Sequence, residues 1–453
     1  MEIENKQETG SGFFDCLTNW KTFWTYLKEK ARHPGIQRYS KNTAWMFLAR
    51  IFILAIAFFV NAYMARYLGP ANFGLLNYVF SFVGLFGFLA SLGVENIANR
   101  EIVTDHSKKN LIVGTSFYLK LFGSLIAILV IFIFARFTTS DGILLGLISM
   151  YSISYIFSAF NIIDVYFQSQ VLSKYPAIVT ISAGIISAIL KIVAMSLGLG
   201  IIWLTAIYVF EGVIITIGLL FFFIRNKHSI KEWIFDKTIA LAILKDSWPL
   251  MLSSIAWGVY MKIDQVMIKN MIGNEETGIY AVAAKMAEFW YFIPGMICAS
   301  VFPAIVNAKK TSKELYEKRL GKLYSLMFWL SLLVAVFISI FAYYIIYILF
   351  GNQYLEAVTT LRIYVWAGIA VSLGSALGYY LITENLTKVT AIATVIGAIV
   401  NVILNFILIP KYGINGAAIA SVISYTMVTF SMFIFKNSGK HLILISKALI
   451  NYK

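Results

Sequence analysis

The stretch YLGPANFG, Tyr67–Gly74, joins the first long apolar segment of the chain to the second through a turn bracketed by two glycines. The same Gly-x4-Gly spacing occurs once more, in IGNEETG, Ile272–Gly278, where two later apolar segments meet. A connection repeated in this way predicts that the protein is one structural unit built twice.

The composition places the chain in a membrane. Of 453 residues, 60% are hydrophobic and 13% are charged, whereas a soluble protein carries about a quarter charged residues. A bilayer-spanning helix needs about 20 mostly apolar residues, and the apolar segments are far longer than the strands of a membrane barrel. We therefore predict an all-α polytopic membrane protein.

Hydropathy predicts twelve spans, six on each side of a polar segment. The predicted spans are 44–65, 74–98, 111–134, 142–167, 176–197, 201–224, 248–270, 277–305, 323–350, 357–382, 389–409 and 414–435. This divides the chain into an N-terminal segment 1–43, an N-lobe 44–224, an interlobe linker 225–247, a C-lobe 248–435 and a tail 436–453. Because six is even, both lobes enter the membrane from the same side, so the repeats should be parallel and related by an axis along the membrane normal.

Lysine and arginine in the connections indicate the orientation. By these spans, 27 lie on one side and 4 on the other, and the richer side of a membrane protein is cytoplasmic. Both termini are therefore predicted to be cytoplasmic. The same distribution accounts for the net charge of +15 without a nucleic-acid partner.

Two apolar stripes are predicted on the cytoplasmic side. In the N-terminal segment, five residues fall on one helical face: Phe13, Leu17, Trp20, Trp24 and Leu27. This face either lies on the membrane surface as an amphipathic helix or packs against other cytoplasmic loops. A second interfacial stripe is predicted in the linker, formed by Ile230, Trp233, Ile234, Leu241 and Leu244.

Two motifs carry a resemblance to a known family. Leu68–Gly74 with the glycine-rich second span resembles the N-terminal signature of polysaccharide-exporting flippases, and IPKYGINGAAIA, Ile409–Ala420, is similar to their motif before the last span. A second internal echo, YFQSQVLSK (166–174) against YLITENLTK (380–388), supports the duplication. The chain thus resembles the O-antigen-type oligosaccharide flippases of the multidrug/oligosaccharidyl-lipid/polysaccharide exporter superfamily.

The resemblance implies a function. The protein would move an undecaprenyl-diphosphate-linked oligosaccharide repeat unit from the cytoplasmic to the outer leaflet of the bacterial inner membrane by alternating access, for O-antigen or capsule biosynthesis. It also implies an H⁺ or Na⁺ gradient as the driving force, antiport as the mode of coupling, and the polysaccharide polymerase machinery as a partner. No catalytic residue, metal or organic cofactor is expected.

Two other functions are weighed against this one. A drug or cation exporter of the same superfamily would favour an anionic cavity, so a basic excess counts against it. An integral-membrane polymerase or glycosyltransferase needs a substantial soluble loop, whereas the predicted outer connections are short. A phosphate-binding glycine-rich loop followed by Lys-Ser/Thr is also absent from the sequence, which argues against nucleotide hydrolysis.

Charges within the predicted spans provide the candidate site residues. A charge at the bilayer centre costs about 2.5–3.5 kcal/mol on insertion scales, so each needs a partner, water or a function. The embedded basic residues, predicted to line a cavity for the diphosphate, are Arg50, Lys120, Lys191, Lys262, Lys285 and Arg362. The alternative is internal pairing with acids, or snorkelling to the interface for Arg50, Asp164 and Arg362. The deep acids proposed for ion coupling are Glu211, Asp264 and Glu288.

The seventh and eighth spans allow finer predictions. Trp257, Tyr260 and Asp264 share one face of the seventh span, with Lys262 roughly opposite. Trp257 and Tyr260 are candidates for stacking on sugar rings, although membrane aromatics more often pack or face lipid. In the eighth span, Lys285 and Glu288 are i, i+3 neighbours that could pair, and Pro294 should kink the helix.

Overall fold

The computed structural model describes residues 34–384 and 386–431. The predicted amphipathic face at 13–27 and the tail 436–453 lie outside these residues. Within them the protein is built of helices, without strands, so the predicted all-α class is confirmed.

Sixteen α-helices follow one another in the described chain. In the first half these are α1 (Pro34–Gly84), α2 (Gly87–Ser91), α3 (Val94–Thr104), α4 (Lys109–Thr138), α5 (Gly142–Ser152), α6 (Ser154–Ser158), α7 (Ile162–Ser169), α8 (Lys174–Ser196) and α9 (Ile201–Arg225). In the second half they are α10 (Lys237–Met271), α11 (Asn274–Glu288), α12 (Phe292–Thr311), α13 (Lys313–Phe350), α14 (Ala357–Tyr364), α15 (Ala367–Thr383) and α16 (Thr387–Ser431).

Two of these helices contain a turn at a glycine. The described residues hold 10 helical stretches long and apolar enough to cross a membrane, and Gly69 in α1 (φ 71°) and Gly413 in α16 (φ 57°) interrupt two of them with non-helical backbone. At 1.5 Å per residue, α16 would be about 68 Å long if straight, more than twice the roughly 30 Å hydrocarbon layer. We therefore count two crossings in each, which gives the twelve predicted.

Several predicted spans are broken helices, which sequence periodicity did not show. The second span comprises the end of α1, α2 and α3, because Leu92 (φ 50°) and Gly93 (φ 64°) adopt left-handed backbone between α2 and α3. The eighth span breaks after Glu288 and resumes at Phe292, close to Pro294. The predicted kink there is confirmed.

The two glycine-bracketed turns pack directly against each other. A Cβ added to Gly74 would lie 1.8 Å from the Asn274 carbonyl oxygen, and a Cβ on Gly278 would lie 2.0 Å from the Pro70 carbonyl oxygen. Asn274 follows Gly273 as Pro70 follows Gly69, so the contact is reciprocal, as an approximate two-fold axis between the repeats requires.

Hydrogen bonds that join α1 to the end of α13 and to the connection after it extend this contact. The guanidinium of Arg66 donates to the carbonyls of Tyr347 and Ile348. In return, Gln353 donates to the Arg66 carbonyl at 3.0 Å, and the Tyr354 hydroxyl donates to the Ala65 carbonyl at 2.9 Å. We call these contacts, with Gly74 and Gly278, the glycine-turn seal, and the opposite face of the molecule the linker side.

On the linker side, matching contacts occur in both lobes. The fifth residue of each internal echo, Gln170 and Glu384, contacts the preceding inter-span connection of its own lobe. Gln170 Oε1 lies 2.9 Å from His106 Nε2, and Glu384 forms an ion pair of 2.9 Å with Lys309. The duplication predicted from the two echoes is therefore visible in the contacts on both sides of the molecule.

The linker packs against the first lobe. Trp233 is buried, with its ring 4.9 Å from Phe117 and 5.7 Å from Phe223 between centroids. The prediction that Trp233 belongs to a membrane-surface stripe is wrong, because Gly114 leaves room for the backbone at Trp233 to approach α4 closely. The domain boundaries at 225 and 247 stay predictions.

A pH-dependent contact holds one end of the linker. Burial lowers the pKa of His228 from its ordinary 6.5, the positive charge of Lys109 acts in the same direction, and Glu232 opposes both. His228 Nε2 lies 3.0 Å from the Tyr166 hydroxyl. A histidine with a lowered folded-state pKa contributes its full stability above the unfolded pKa and loses it as the pH falls below about 6.5.

We therefore expect the linker around His228 to open more often as the pH falls from about 7.5 to 5.5. Amide hydrogen exchange of peptides covering 226–236, corrected for intrinsic rates, should rise severalfold. His228→Gln should remove most of this pH dependence. Equal protection at both pH values in the unmodified protein would contradict the assignment.

Candidate transport site between the lobes

The side chain of Lys285 reaches from the second lobe to the first lobe. It lies on α11, is half-buried, and donates from Nζ to Asn61 Oδ1 at 3.2 Å. Its Nζ also lies 4.7 Å from the centroid of the Phe73 ring. Asn61 and Phe73 both belong to α1, so this lysine sits at the interface between the lobes, and the two contacts that position it are with uncharged groups.

Lys262 lies at the same interface. Its Cγ would be 3.8 Å from a Cβ added to Gly84 of α1, so its side chain faces the first lobe. The charges of Lys262, Lys285 and Glu288 are close enough to act on one another. Within the described chain, no salt bridge neutralises either lysine.

Asp264 faces the opposite way, into the second lobe, as the helical spacing predicts. It is buried and accepts hydrogen bonds from the Tyr280 hydroxyl at 2.7 Å, from Asn405 Nδ2 at 2.6 Å and from the Ser421 hydroxyl. These partners lie on α11 and on both halves of α16. The carboxylate therefore ties three helical segments together.

Glu288 accepts a hydrogen bond from the Tyr364 hydroxyl at 2.7 Å. It ends α11, directly before the turn that breaks the eighth span. Among the described residues, Lys285 and Glu288 form no ion pair, so the simple i, i+3 pairing considered from the sequence is not what the structure shows. Each side chain has its own partner on another helix.

Two of the predicted basic residues are compensated within the first lobe. Lys191 is buried, forms an ion pair of 3.2 Å with Glu211, and lies 3.4 Å from the centroid of the Tyr208 ring. Lys120 is 1% exposed and forms an ion pair with Glu95. For these two, the geometry matches internal pairing, the alternative considered from the sequence.

The remaining predicted residues are Arg362, Arg50, Tyr260 and Trp257. Arg362 is exposed and donates from Nε to the Ser339 carbonyl at 3.1 Å, and the side chain of Arg50 is outside the described part of the structure. Tyr260 is buried against Tyr425, at 4.3 Å between ring centroids, which matches the packing alternative. Trp257 is 58% exposed. A substrate-binding role for all of these stays a prediction.

The sequence reasoning missed the first-lobe partners of Lys285. Asn61 is the one amide in the apolar run 51–65, so the rule that singled out embedded charges would have found it if extended to neutral polar residues. Phe73 and Tyr364 carry no such signal, because an aromatic residue in a span is common. Their roles depend on contacts between helices distant in sequence.

The comparison with family models decides the family. A model of the polysaccharide biosynthesis protein family matches residues 39–309, more than half of the chain. The chain belongs to this family. A model of the lipid II flippase MurJ matches residues 289–452.

Similar proteins extend over most of the chain. A "Putative O-antigen transporter" of Shigella flexneri is 25% identical over 409 residues, covering 84% of this chain and 93% of that protein. "Capsular polysaccharide biosynthesis protein CapF" of Staphylococcus aureus is 21% identical and covers 87% of this chain and 98% of its own length.

Solved structures show the same fold. A lipid II flippase MurJ in an inward closed conformation superposes with a TM-score of 0.71 at 16% identity, covering 90% of each chain. An inward-facing multidrug resistance MATE family transporter superposes with a TM-score of 0.69 at 15% identity, covering 89% of this chain and 96% of that one. Together these comparisons confirm a multi-pass membrane flippase of the predicted superfamily.

Proposed function

We propose that this family member translocates an undecaprenyl-diphosphate-linked oligosaccharide repeat unit across the bacterial inner membrane, from the cytoplasmic to the outer leaflet, for O-antigen or capsule biosynthesis. The observation that carries the proposal is the pair Lys262 and Lys285, which face the lobe interface without an ion-pair partner in the described chain. The relative named as an O-antigen transporter supports the same substrate class.

The two lysines suit a diphosphate. Its negative charges cannot cross hydrocarbon uncompensated, and ammonium groups make strong charge-assisted hydrogen bonds to phosphate oxygens. Lys285 is positioned by neutral groups, Asn61 and the Phe73 ring, so its charge stays available for a ligand. A drug or cation exporter would gain nothing from two ammonium groups that, within the described chain, form no salt bridge at this interface.

Alternating access requires a closure that can open. If the lysine-rich linker side is cytoplasmic, as the charge distribution predicts, the glycine-turn seal closes the site towards the outer leaflet. The lipid-linked head group would then enter from the linker side. Opening the seal while the linker side closes would release it outside. A polysaccharide polymerase that accepts the released unit remains the partner proposed.

Asp264 is the acid whose surroundings best suit ion coupling by H⁺ or Na⁺. Besides its three hydrogen-bond donors, Asp264 has a neighbouring amide oxygen, Asn405 Oδ1, that is buried and has no hydrogen-bond partner among the described residues. A carboxylate and a spare amide oxygen in one buried cluster offer ligands for a small cation, or a place for a proton. Glu211, engaged by Lys191, and Glu288, engaged by Tyr364, remain the other candidates.

Replacing the carboxylate should uncouple transport. We expect Asp264→Asn to lower the ion-gradient-driven rate by about tenfold or more, the equivalent of at least about 1.4 kcal/mol, with normal membrane insertion because the side chains are isosteric. Transport into vesicles under imposed Na⁺ and H⁺ gradients measures this. Asp141→Asn is the matched control, since Asp141 caps α5 and asparagine caps equally well. Unchanged gradient dependence in Asp264→Asn would remove it as the coupling site.

The substrate is tested by deleting the gene in its host and extracting the lipids. Accumulation of diphosphate-linked repeat units, with loss of surface polysaccharide, is the expected result. Complementation with the unmodified chain should reverse both effects. Unchanged lipids together with altered drug sensitivity would overturn the proposal in favour of the exporter alternative.

A further inference from the structure

A second polar site is a partly open cavity in the first lobe, lined by none of the interface lysines. It is a cavity of about 170 Å³ on the linker-side half of the lobe, between α3 and the segment around α7. Six of its seven lining residues have polar side chains. The lining residues are Glu95, Asn96, Asn99, Asn161, Asp164, Val165 and Gln168.

The cavity offers both hydrogen-bond donors and acceptors. Asn99 Oδ1 is buried and has no hydrogen-bond partner among the described residues, while Gln168 Nε2 donates to Asp164 Oδ1 at 3.0 Å and so fixes that carboxylate. The buried ammonium group of Lys120 forms an ion pair with Glu95 at the cavity wall. Three asparagines and a glutamine can each donate and accept at once.

The polar lining is unsuited to hydrocarbon, and the cavity is larger than a bare ion needs. Charged and amide side chains within a lobe's span face water or a ligand, because lipid cannot satisfy them. One water needs roughly 10–15 Å³ of such volume, so 170 Å³ is far larger than a dehydrated monovalent cation requires. The lining also provides hydrogen-bond donors and acceptors together, which the hydroxyl groups of a sugar ring need.

We infer that this cavity binds a sugar ring of the lipid-linked glycan, while Lys262 and Lys285 hold its diphosphate. The inference rests on the proposed function. The cavity shares no residue with the interface cluster, so its contribution to binding can be tested separately from that of the lysines. The diphosphate site would then accept any such lipid, and the cavity would add the preference for sugar-bearing ones.

The test uses the full chain in nanodiscs and three probes of known structure. These are undecaprenyl diphosphate, the same lipid carrying one N-acetylglucosamine, and the same lipid carrying one glucose. Affinities are measured for the unmodified protein, for Asn99→Leu and Asn161→Leu, which fill the cavity with apolar groups of similar size, and for Asn307→Leu. The last is the matched control, because Asn307 is exposed and lies outside the cavity.

We expect at least one sugar-bearing probe to bind about tenfold tighter than the bare lipid, a difference near 1.4 kcal/mol. Both cavity variants should lose this increment while their affinity for the bare lipid stays the same, and Asn307→Leu should keep it. Equal binding of all three probes, or an increment that survives in both variants, would overturn the sugar site alone. Failure of every probe to bind would overturn the proposed function as well.

A variant that does not fold is recognised by its affinity for the bare lipid. Only a variant that retains this affinity counts, and Asn99→Asp serves as a milder second change at the unpartnered amide. This change should reduce the additional affinity for the sugar-bearing probes, and it does not fill the cavity with an apolar group. If Asn99→Asp keeps the additional affinity for sugar-bearing probes and Asn161→Leu loses it, the sugar contact is assigned to Asn161. That result would still support the cavity as the sugar site.

Discussion

A Gly278→Val variant is expected to lose at least about nine-tenths of its transport activity while inserting normally into the membrane. Even the Cβ of a larger side chain at this position would lie 2.0 Å from the Pro70 carbonyl oxygen and 3.0 Å from the Gly74 nitrogen. Both are backbone atoms, so no side-chain rotation can relieve the clash and the two glycine turns must separate. The variant should therefore favour a state in which the glycine-turn seal is open.

Distances across the seal measure this shift directly. Spin labels at Ser140 in the first lobe and Tyr412 in the second, both exposed, should move apart in Gly278→Val and in Gly74→Val. Gly146→Val is the matched control, since a Cβ there meets no atom within 4 Å. Unchanged label distances with full transport would show that the contact is not a gate. Overpacking of about 1–3 kcal/mol changes the ratio of two states by roughly fivefold to 150-fold.

The repeat could be predicted from the sequence because glycine has few substitutes at such a contact. Gly69 and Gly273 both have positive φ, a backbone conformation that glycine adopts without steric cost, and Gly74 and Gly278 have no room for a side chain. The spacing of these glycines in the sequence therefore reflects the backbone geometry of the contact. Pro294 gave an equally local signal for the break in the eighth span.

The site was predictable only in part, because it depends on which helices meet. Helical spacing placed Lys262 and Asp264 on opposite faces, and the structure agrees. The same reasoning could not tell that Lys191 has an acid partner 20 residues away, whereas Lys285 meets an amide 224 residues away. Both lysines look alike in sequence. Only the packing of the lobes separates a compensated charge from an available one.

Removing the available charges should have the largest effect on substrate handling. We expect Lys285→Ala and Lys262→Ala each to weaken binding of undecaprenyl diphosphate by about tenfold to hundredfold, since a hydrogen bond to a charged group contributes about 1.5–3 kcal/mol. The double variant should be impaired more than either single one. Binding in nanodiscs and export in complemented cells are the measurements. Membrane insertion should be normal, because loss of a buried charge favours insertion.

The weaker binding should result from the missing charge of Lys285 and not from the changed shape of its side chain. Lys285→Gln keeps a donor for Asn61 Oδ1 and should behave like Lys285→Ala, whereas Lys285→Arg keeps the charge and should retain most of the activity. Lys245→Ala is the control on the same helix as Lys262, because Lys245 is exposed near the linker. Full activity of both alanine variants and of their combination would exclude these lysines from the substrate site. A glutamine variant as active as arginine would show that Lys285 positions α1 through Asn61 and does not bind phosphate.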